Sequence, residues 1–184
     1  MPPFDAAGII DPLPTPQDTG AQSDFAFDEI GWIAAELPAI ALTHGIAPCA
    51  MASGAVIADA HRDVEPLRRL AAHPRLLRRA RAALGGPVAI SGTQLAIDTP
   101  PPAAAEGVVV TVFLDMRPCA ERPKSAVGRF GTIAVRRGDA PVPAAERGRS
   151  FSVAYVPAAA RPGVFALAAV GEGDLWPAAH LAFG

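Results

Sequence analysis

The chain has 184 residues, of which 51% are hydrophobic and 18% charged, and its formal net charge at pH 7 is -2. This length suits one domain with a sizeable core. The nearly balanced charge gives no reason to expect a nucleic-acid or anionic-membrane partner. No apolar run approaches the ~20 residues that cross a bilayer.

Cysteine usage and the N-terminal composition both favour the cytoplasm. The two cysteines, Cys49 and Cys119, lie far apart, and no CxxC or Cys/His cluster predicts a zinc site. One disulfide stays open as an alternative, but we interpret both as reduced thiols. Acids and prolines stand where a secretory signal would be basic and then apolar. We therefore expect a cytoplasmic protein.

The N-terminal residues 1–24 are predicted to form an irregular, proline-rich arm, and residues 25–184 a single domain. After the arm, Asp28 and Glu29 precede apolar residues and predict a short helix. Pro38 should limit its length, because proline removes a backbone donor from a helix interior.

The clearest helix signal covers residues 63–84. Asp63 is predicted to cap it, with Pro66 in the first turn and a Gly-Gly pair at its end. Pro74 interrupts the pattern, so we expect a kink or two consecutive helices. The apolar face comprises Leu67, Leu70, Leu77, Ala80 and Leu84.

Short β-rich runs follow the helices, separated by Gly, Pro and charged turns. They are Val88–Ile97, Val108–Leu114, Gly131–Val135, Phe151–Val156 and Val164–Val170. Such runs predict an antiparallel sheet, as in a sandwich or barrel, within an α+β or mainly β fold.

Three segments in chain order resemble the phytanoyl-CoA dioxygenase family, including its ectoine hydroxylase branch. The first is the helix-to-strand stretch 61–102, the second is VTVFLDM (residues 110–116), and the third is residues 138–162. Matching positions in the first stretch are Leu70, His73, Pro74, Leu76, Leu77, Ala80, Leu84, Gly85, Val88 and Gln94. The resemblance implies a truncated double-stranded β-helix (jelly roll, cupin-like) with packed N-terminal helices.

Enzymes of this family hold Fe(II) with a His-x-Asp and a distal His, and use 2-oxoglutarate and O₂. The corresponding intervals here, residues 103–107 and 140–147, contain no His. We therefore expect no metal site and no cofactor, with Fe(II) and 2-oxoglutarate as the alternative. His61-Arg62-Asp63 is literally His-x-Asp, and His180 could complete it, but a helix cap beside a surface His is the interpretation we favour.

The remaining site prediction concerns a remnant anion pocket formed by Arg149, Gln94 and Asp98. Arg149 matches the arginine that pairs with the distal carboxylate of 2-oxoglutarate, and Gln94 matches the family's strand. Asp98 stands where the family has a lysine and reverses that charge. We expect Arg149 to face the barrel interior near Gln94 and to pair with Asp98.

These observations predict a degenerate, non-catalytic protein that binds a small molecule or a partner protein. The alternatives are an oxygenase with relocated ligands, a metal-free enzyme that reuses the pocket, and a regulatory subunit. Shortened sheet segments predict a homodimer, or a heterodimer with a full-length homologue. An arginine-rich helix surface is either a solvated face or a docking site for an acidic partner: Arg68, Arg69, Arg75, Arg78, Arg79 and Arg81.

Overall fold

The computed structural model describes residues 23–100, 106–117, 128–140 and 148–160. Its helices are α1 (Phe27–Thr43), α2 (Pro48–Ser53), α3 (Glu65–Ala71) and α4 (Pro74–Leu84), with 3-10 turns at Ala60–Arg62 and Ala158–Ala160. Its strands are β1 (Ala55–Ala58), β2 (Val88–Ile97), β3 (Val108–Phe113), β4 (Ile133–Arg137) and β5 (Arg149–Pro157). None of the helices in the described ranges is long and apolar enough to cross a bilayer.

The five strands form one antiparallel sheet in the order β1-β2-β5-β3-β4. The predicted α+β class, with helices first and an antiparallel sheet after them, is confirmed. Within the described residues the sheet does not close into a barrel, because β1 and β4 each pair on one side only.

One face of the sheet packs against the helices and is called here the helix face. Its residues alternate along each strand, as in Phe151, Val153 and Tyr155 of β5, which are all fully buried. The Tyr155 hydroxyl donates a 2.5 Å hydrogen bond to the Ala71 carbonyl at the end of α3. This bond satisfies a polar group that burial would otherwise leave without a partner.

The opposite face, called here the polar face, carries Gln94, Ser150, Ser152 and Thr111 among small apolar residues. Thr111 and Ser152 are buried and lie 2.9 Å apart at their hydroxyl oxygens, so they form a hydrogen bond across β3 and β5. The two faces therefore differ in chemistry: one is a hydrophobic core and the other is lined with hydroxyl and amide groups.

Pro74 divides the long helical pattern as expected. It is the first residue of α4, where a missing backbone donor costs nothing, and the His73 side chain caps the helix by accepting from the Arg75 amide at 3.1 Å. Gly85 ends α4 with φ 77°, as predicted. The predicted cap Asp63 was wrong: α3 begins one residue later than that cap requires, with Val64 at the N-cap position.

The first helix corrects the prediction that Pro38 limits its length. α1 continues for 17 residues through Pro38, whose own side chain is exposed. The buried face of Ile33, Leu37 and Ile40 continues past the proline. Burial of each such side chain is worth roughly 1.5–3 kcal/mol, which offsets the local cost of one lost helix hydrogen bond.

Sequence patterns missed two short elements and displaced one strand. α2 and β1 are six and four residues long, too short for a periodicity signal. β4 begins at Ile133 and not at Gly131, because Gly131 adopts φ 78° in the preceding turn. The predicted strand Val164–Val170 and the arm 1–22 lie outside the described residues.

The predicted boundary at residue 24 falls inside a segment that is bound to the sheet. The Asp24 carboxylate accepts from the Ile133 amide at 2.8 Å and pairs with Arg79 at 3.1 Å. The Phe25 amide donates to the Gly131 carbonyl at 2.9 Å, and the Phe25 ring is fully buried. These residues belong to the domain.

Candidate functional site

Arg149 is the first residue of β5, which begins two residues before the predicted start at Phe151, and it lies at one end of the helix face. Its partner across β2 is Ile97, whereas Gln94 lies opposite Ser152. Because side chains alternate along a strand, Arg149 and Gln94 point to opposite faces of the sheet. The expectation that Arg149 would lie near Gln94 was therefore wrong.

A cavity of about 460 Å³ lies at this end of the helix face, between α1, α2 and the sheet. We call it the Arg149 pocket. Its apolar walls are Leu37, Pro38, Pro48, Met51, Ala52 and Ile97, and its charged residues are Asp98, Arg117 and Arg149. The volume falls within the range typical of small-molecule sites.

Arg117 holds Asp98 and Asp115 together at the base of the pocket. Its Nη1 donates to Asp98 at 3.1 Å, and its Nη2 donates both to Asp98 and, at 2.7 Å, to Asp115. Its Nε completes a two-pronged contact with Asp115 at 2.9 Å. Hydrogen bonding to Asp115 raises the pKa of the Arg117 guanidinium. This network explains the acidic residue at position 98.

Arg149 differs from Arg117 in having no acidic partner among the described residues. Within the described residues it forms no ion pair, and its buried Nε donates to no acceptor. Leaving a buried donor unsatisfied costs about 1–3 kcal/mol, and more for a charged group. The predicted Arg149–Asp98 pair was wrong because both Asp98 oxygens are bound by Arg117, although Asp98 and Arg149 do line the same pocket.

Gln94 lines a separate cavity of about 530 Å³ on the polar face, with Asp59, Glu106 and Ser152 among its other lining residues. Asp59 adopts φ 52°, and its Oδ1 accepts from the Thr93 amide at 3.0 Å. The structure therefore divides the three predicted site residues between two cavities, with Gln94 alone in this one.

His61 and Asp63 do not converge on a common point. The His61 Nδ1 lies 2.7 Å from the Thr93 hydroxyl oxygen, while the Asp63 carboxylate lies 3.8 Å from His44 Nε2. Burial lowers the pKa of His61. The part of the chain that the structure describes contains no group of three or more His, Cys, Asp or Glu placed to hold a metal ion. The intervals 103–105 and 141–147, and His180, lie outside it.

The arginine-rich helix surface is largely committed to acidic residues of the same chain. Arg68 and Arg69 both pair with Glu65, at 2.7 and 2.9 Å. Arg75 pairs with Glu29 at 2.8 Å and so joins α4 to α1. This arrangement supports the solvated-face interpretation, with several of the arginines also fastening the N-terminal segment.

Sequence reasoning missed Arg117 and the contribution of α2 to the pocket. Asp115 and Arg117 follow β3 directly, and an acid-x-Arg pattern at a strand end is the signal that could have suggested a local charge network. Nothing comparable indicates Met51, because α2 is short and rich in small residues.

Comparison of the chain with protein-family models, curated proteins and solved structures finds no match.

Proposed function

We propose that this domain is a non-catalytic binding protein for a small organic anion, which it holds in the Arg149 pocket. The observation that carries the proposal is a cavity with apolar walls whose lining residue Arg149 forms no ion pair with an acid of the described residues. A carboxylate placed against this guanidinium would accept charge-assisted hydrogen bonds from it.

The surroundings of Arg149 support a ligand in place of an internal partner. Asp98, the acid that lines the same pocket, is bound by Arg117 and forms no ion pair with Arg149. The buried residues Leu37 and Ile97 would shield one side of the ligand from water and strengthen its interaction with the guanidinium. A pocket of this kind binds and orients an anion without a chemical step.

We further propose that the domain is related to the phytanoyl-CoA dioxygenase family. The antiparallel strand order, the helices against one face and the polar opposite face are compatible with half of a jelly roll cut down from a phytanoyl-CoA dioxygenase fold. An experimental structure in which a second sheet stands against the polar face would support this relationship. A single sheet in the complete chain would contradict it.

Thermal denaturation with sodium hexanoate or sodium benzoate tests the binding function. A ligand that binds only the folded state increases the free energy of unfolding by RT ln(1 + [L]/Kd), which is about 2.7 kcal/mol at a ligand concentration of 100 Kd. Tm rises as a result. Arg149→Met should abolish the shift. Arg137→Met is the matched control, because Arg137 pairs with Asp139 on the surface, away from the pocket.

Isothermal titration calorimetry provides the direct measurement. We expect one site per chain in the unmodified protein and in Arg137→Met. Equal binding to Arg149→Met would overturn the assigned site. Failure of a panel of aliphatic and aromatic carboxylates to bind would overturn the function.

A further inference from the structure

We infer that the Arg149 pocket selects singly charged carboxylates with an apolar tail and discriminates against dicarboxylates, 2-oxoglutarate included. This inference rests on the proposed function and specifies its ligand class. It follows from the distribution of charge among Asp98, Asp115, Arg117 and Arg149.

The first step concerns how much positive charge the pocket offers. Arg117 contacts two carboxylates through Nε, Nη1 and Nη2, so its cationic charge is already committed to Asp98 and Asp115. Among the described lining residues, Arg149 is then the one cation not engaged by an acid. One ligand carboxylate can pair with it.

The second step concerns where another negative group would lie. The remaining charged residue of the lining is Asp98, a like charge, and the rest of the described lining is apolar. A second carboxylate lying against these residues would therefore find no uncommitted cation, and it would be repelled by Asp98. Both effects oppose a dianion.

The third step concerns the uncharged part of the ligand. Pro38 and Pro48 present rigid rings from two helices, and Met51 supplies a flexible thioether that adapts to irregular shapes. Leu37 and Ile97 complete an aliphatic surface. These walls favour a hydrocarbon tail over a polar one, because burial of apolar area is the main favourable contribution that they can make.

Three probes with a six-carbon acyl chain separate charge from chain length and polarity: hexanoate, adipate and monomethyl adipate, whose ester adds one methyl group. Calorimetry at constant ionic strength and pH 7.5 should show hexanoate binding at least tenfold more tightly than adipate. Monomethyl adipate has the length of adipate but a single charge, so it should bind closer to hexanoate. 2-Oxoglutarate should bind no better than adipate.

Two variants locate the discrimination. Arg149→Gln should abolish binding of all the probes. Asp98→Asn should reduce the difference in affinity between hexanoate and adipate, because it removes the charge that repels the second carboxylate. Circular dichroism and Tm verify that this variant folds. The comparison of probes on the unmodified protein needs no variant and stands by itself.

The outcomes distinguish this inference from the proposed function. Adipate or 2-oxoglutarate binding as tightly as hexanoate, at a site lost in Arg149→Gln, would overturn the monoanion selectivity and leave the anion-binding function standing. Absence of binding by hexanoate and by the wider carboxylate panel would overturn both.

Discussion

Replacement of Arg117 by methionine should destabilise the domain far more than loss of an ordinary surface arginine. The Asp115 and Asp98 side chains that it binds are only 5% and 16% exposed. Removing their shared cation takes a positive charge away from two carboxylates that are largely shielded from water. Breaking a buried ion pair from one side costs about 3–5 kcal/mol; partial exposure of Asp98 brings our expectation to about 2–4 kcal/mol.

Urea denaturation followed by circular dichroism measures this cost as a change in the free energy of unfolding. Arg137→Met is the control, since Arg137 and Asp139 are 44% and 57% exposed and form an ion pair at 2.7 Å. Exposed pairs contribute about 0–1 kcal/mol, so the control should lose no more than that. The triple variant Asp98→Asn, Asp115→Asn, Arg117→Met should recover part of the loss, because it removes both shielded negative charges together with the cation.

Equal losses in Arg117→Met and Arg137→Met would refute the assignment of Arg117 as the centre of a shielded network. A triple variant less stable than Arg117→Met alone would show that the carboxylates stabilise the fold by some other contact.

Two further predictions concern the core. Burial raises the pKa of Tyr155, the single tyrosine, so the free energy of unfolding should fall as pH rises above the unfolded-state pKa of about 10. Tyrosinate absorbance at 295 nm should therefore appear together with the loss of circular dichroism. Ionisation of Tyr155 in the folded protein would contradict this prediction. Gly107 and Gly45 have nearly equal φ values, 75° and 74°, but an added Cβ would lie 2.0 Å from the Tyr155 carbonyl oxygen at Gly107 and meets nothing within 4 Å at Gly45. Gly45→Ala should therefore cost only the left-handed backbone strain of about 1–2 kcal/mol, and Gly107→Ala clearly more in the same urea assay.

The sequence predicted the structure best where proline or glycine restricts the backbone to the end of a helix or strand. Pro74 after a helical run predicts a second helix start, and α4 begins there. The β2 boundaries were predicted correctly, because β-rich residues lie between a Gly-Gly-Pro stop and a Pro-rich loop. Pro38 misled the prediction because the cost of a proline inside a helix is local, while the benefit of burying α1 depends on the sheet beneath it.

The site was less predictable, because it depends on strand register. A one-residue change in the pairing of β2 with β5 would bring Arg149 to the face of Gln94. The alternation of Phe151, Val153 and Tyr155 with small residues places Arg149 on the apolar face, but the prediction did not use this pattern. The sequence also did not indicate that Arg117, and not Arg149, would bind the Asp98 carboxylate. Arg117 is 19 residues away along the chain and reaches Asp98 only because β3 pairs with β5 beside β2.

The central position of β5 also has a consequence for how the domain folds. β5 is the last of the five described strands along the chain, yet it lies between β2 and β3. Until β5 is in place, the β1–β2 pair and the β3–β4 pair share no backbone hydrogen bonds. The edges of β2 and β3 that later pair with β5 are then both unpaired. Closure across some 60 residues makes this a slow, non-local step. During synthesis, the two half-sheets are therefore exposed to mispairing until β5 leaves the ribosome.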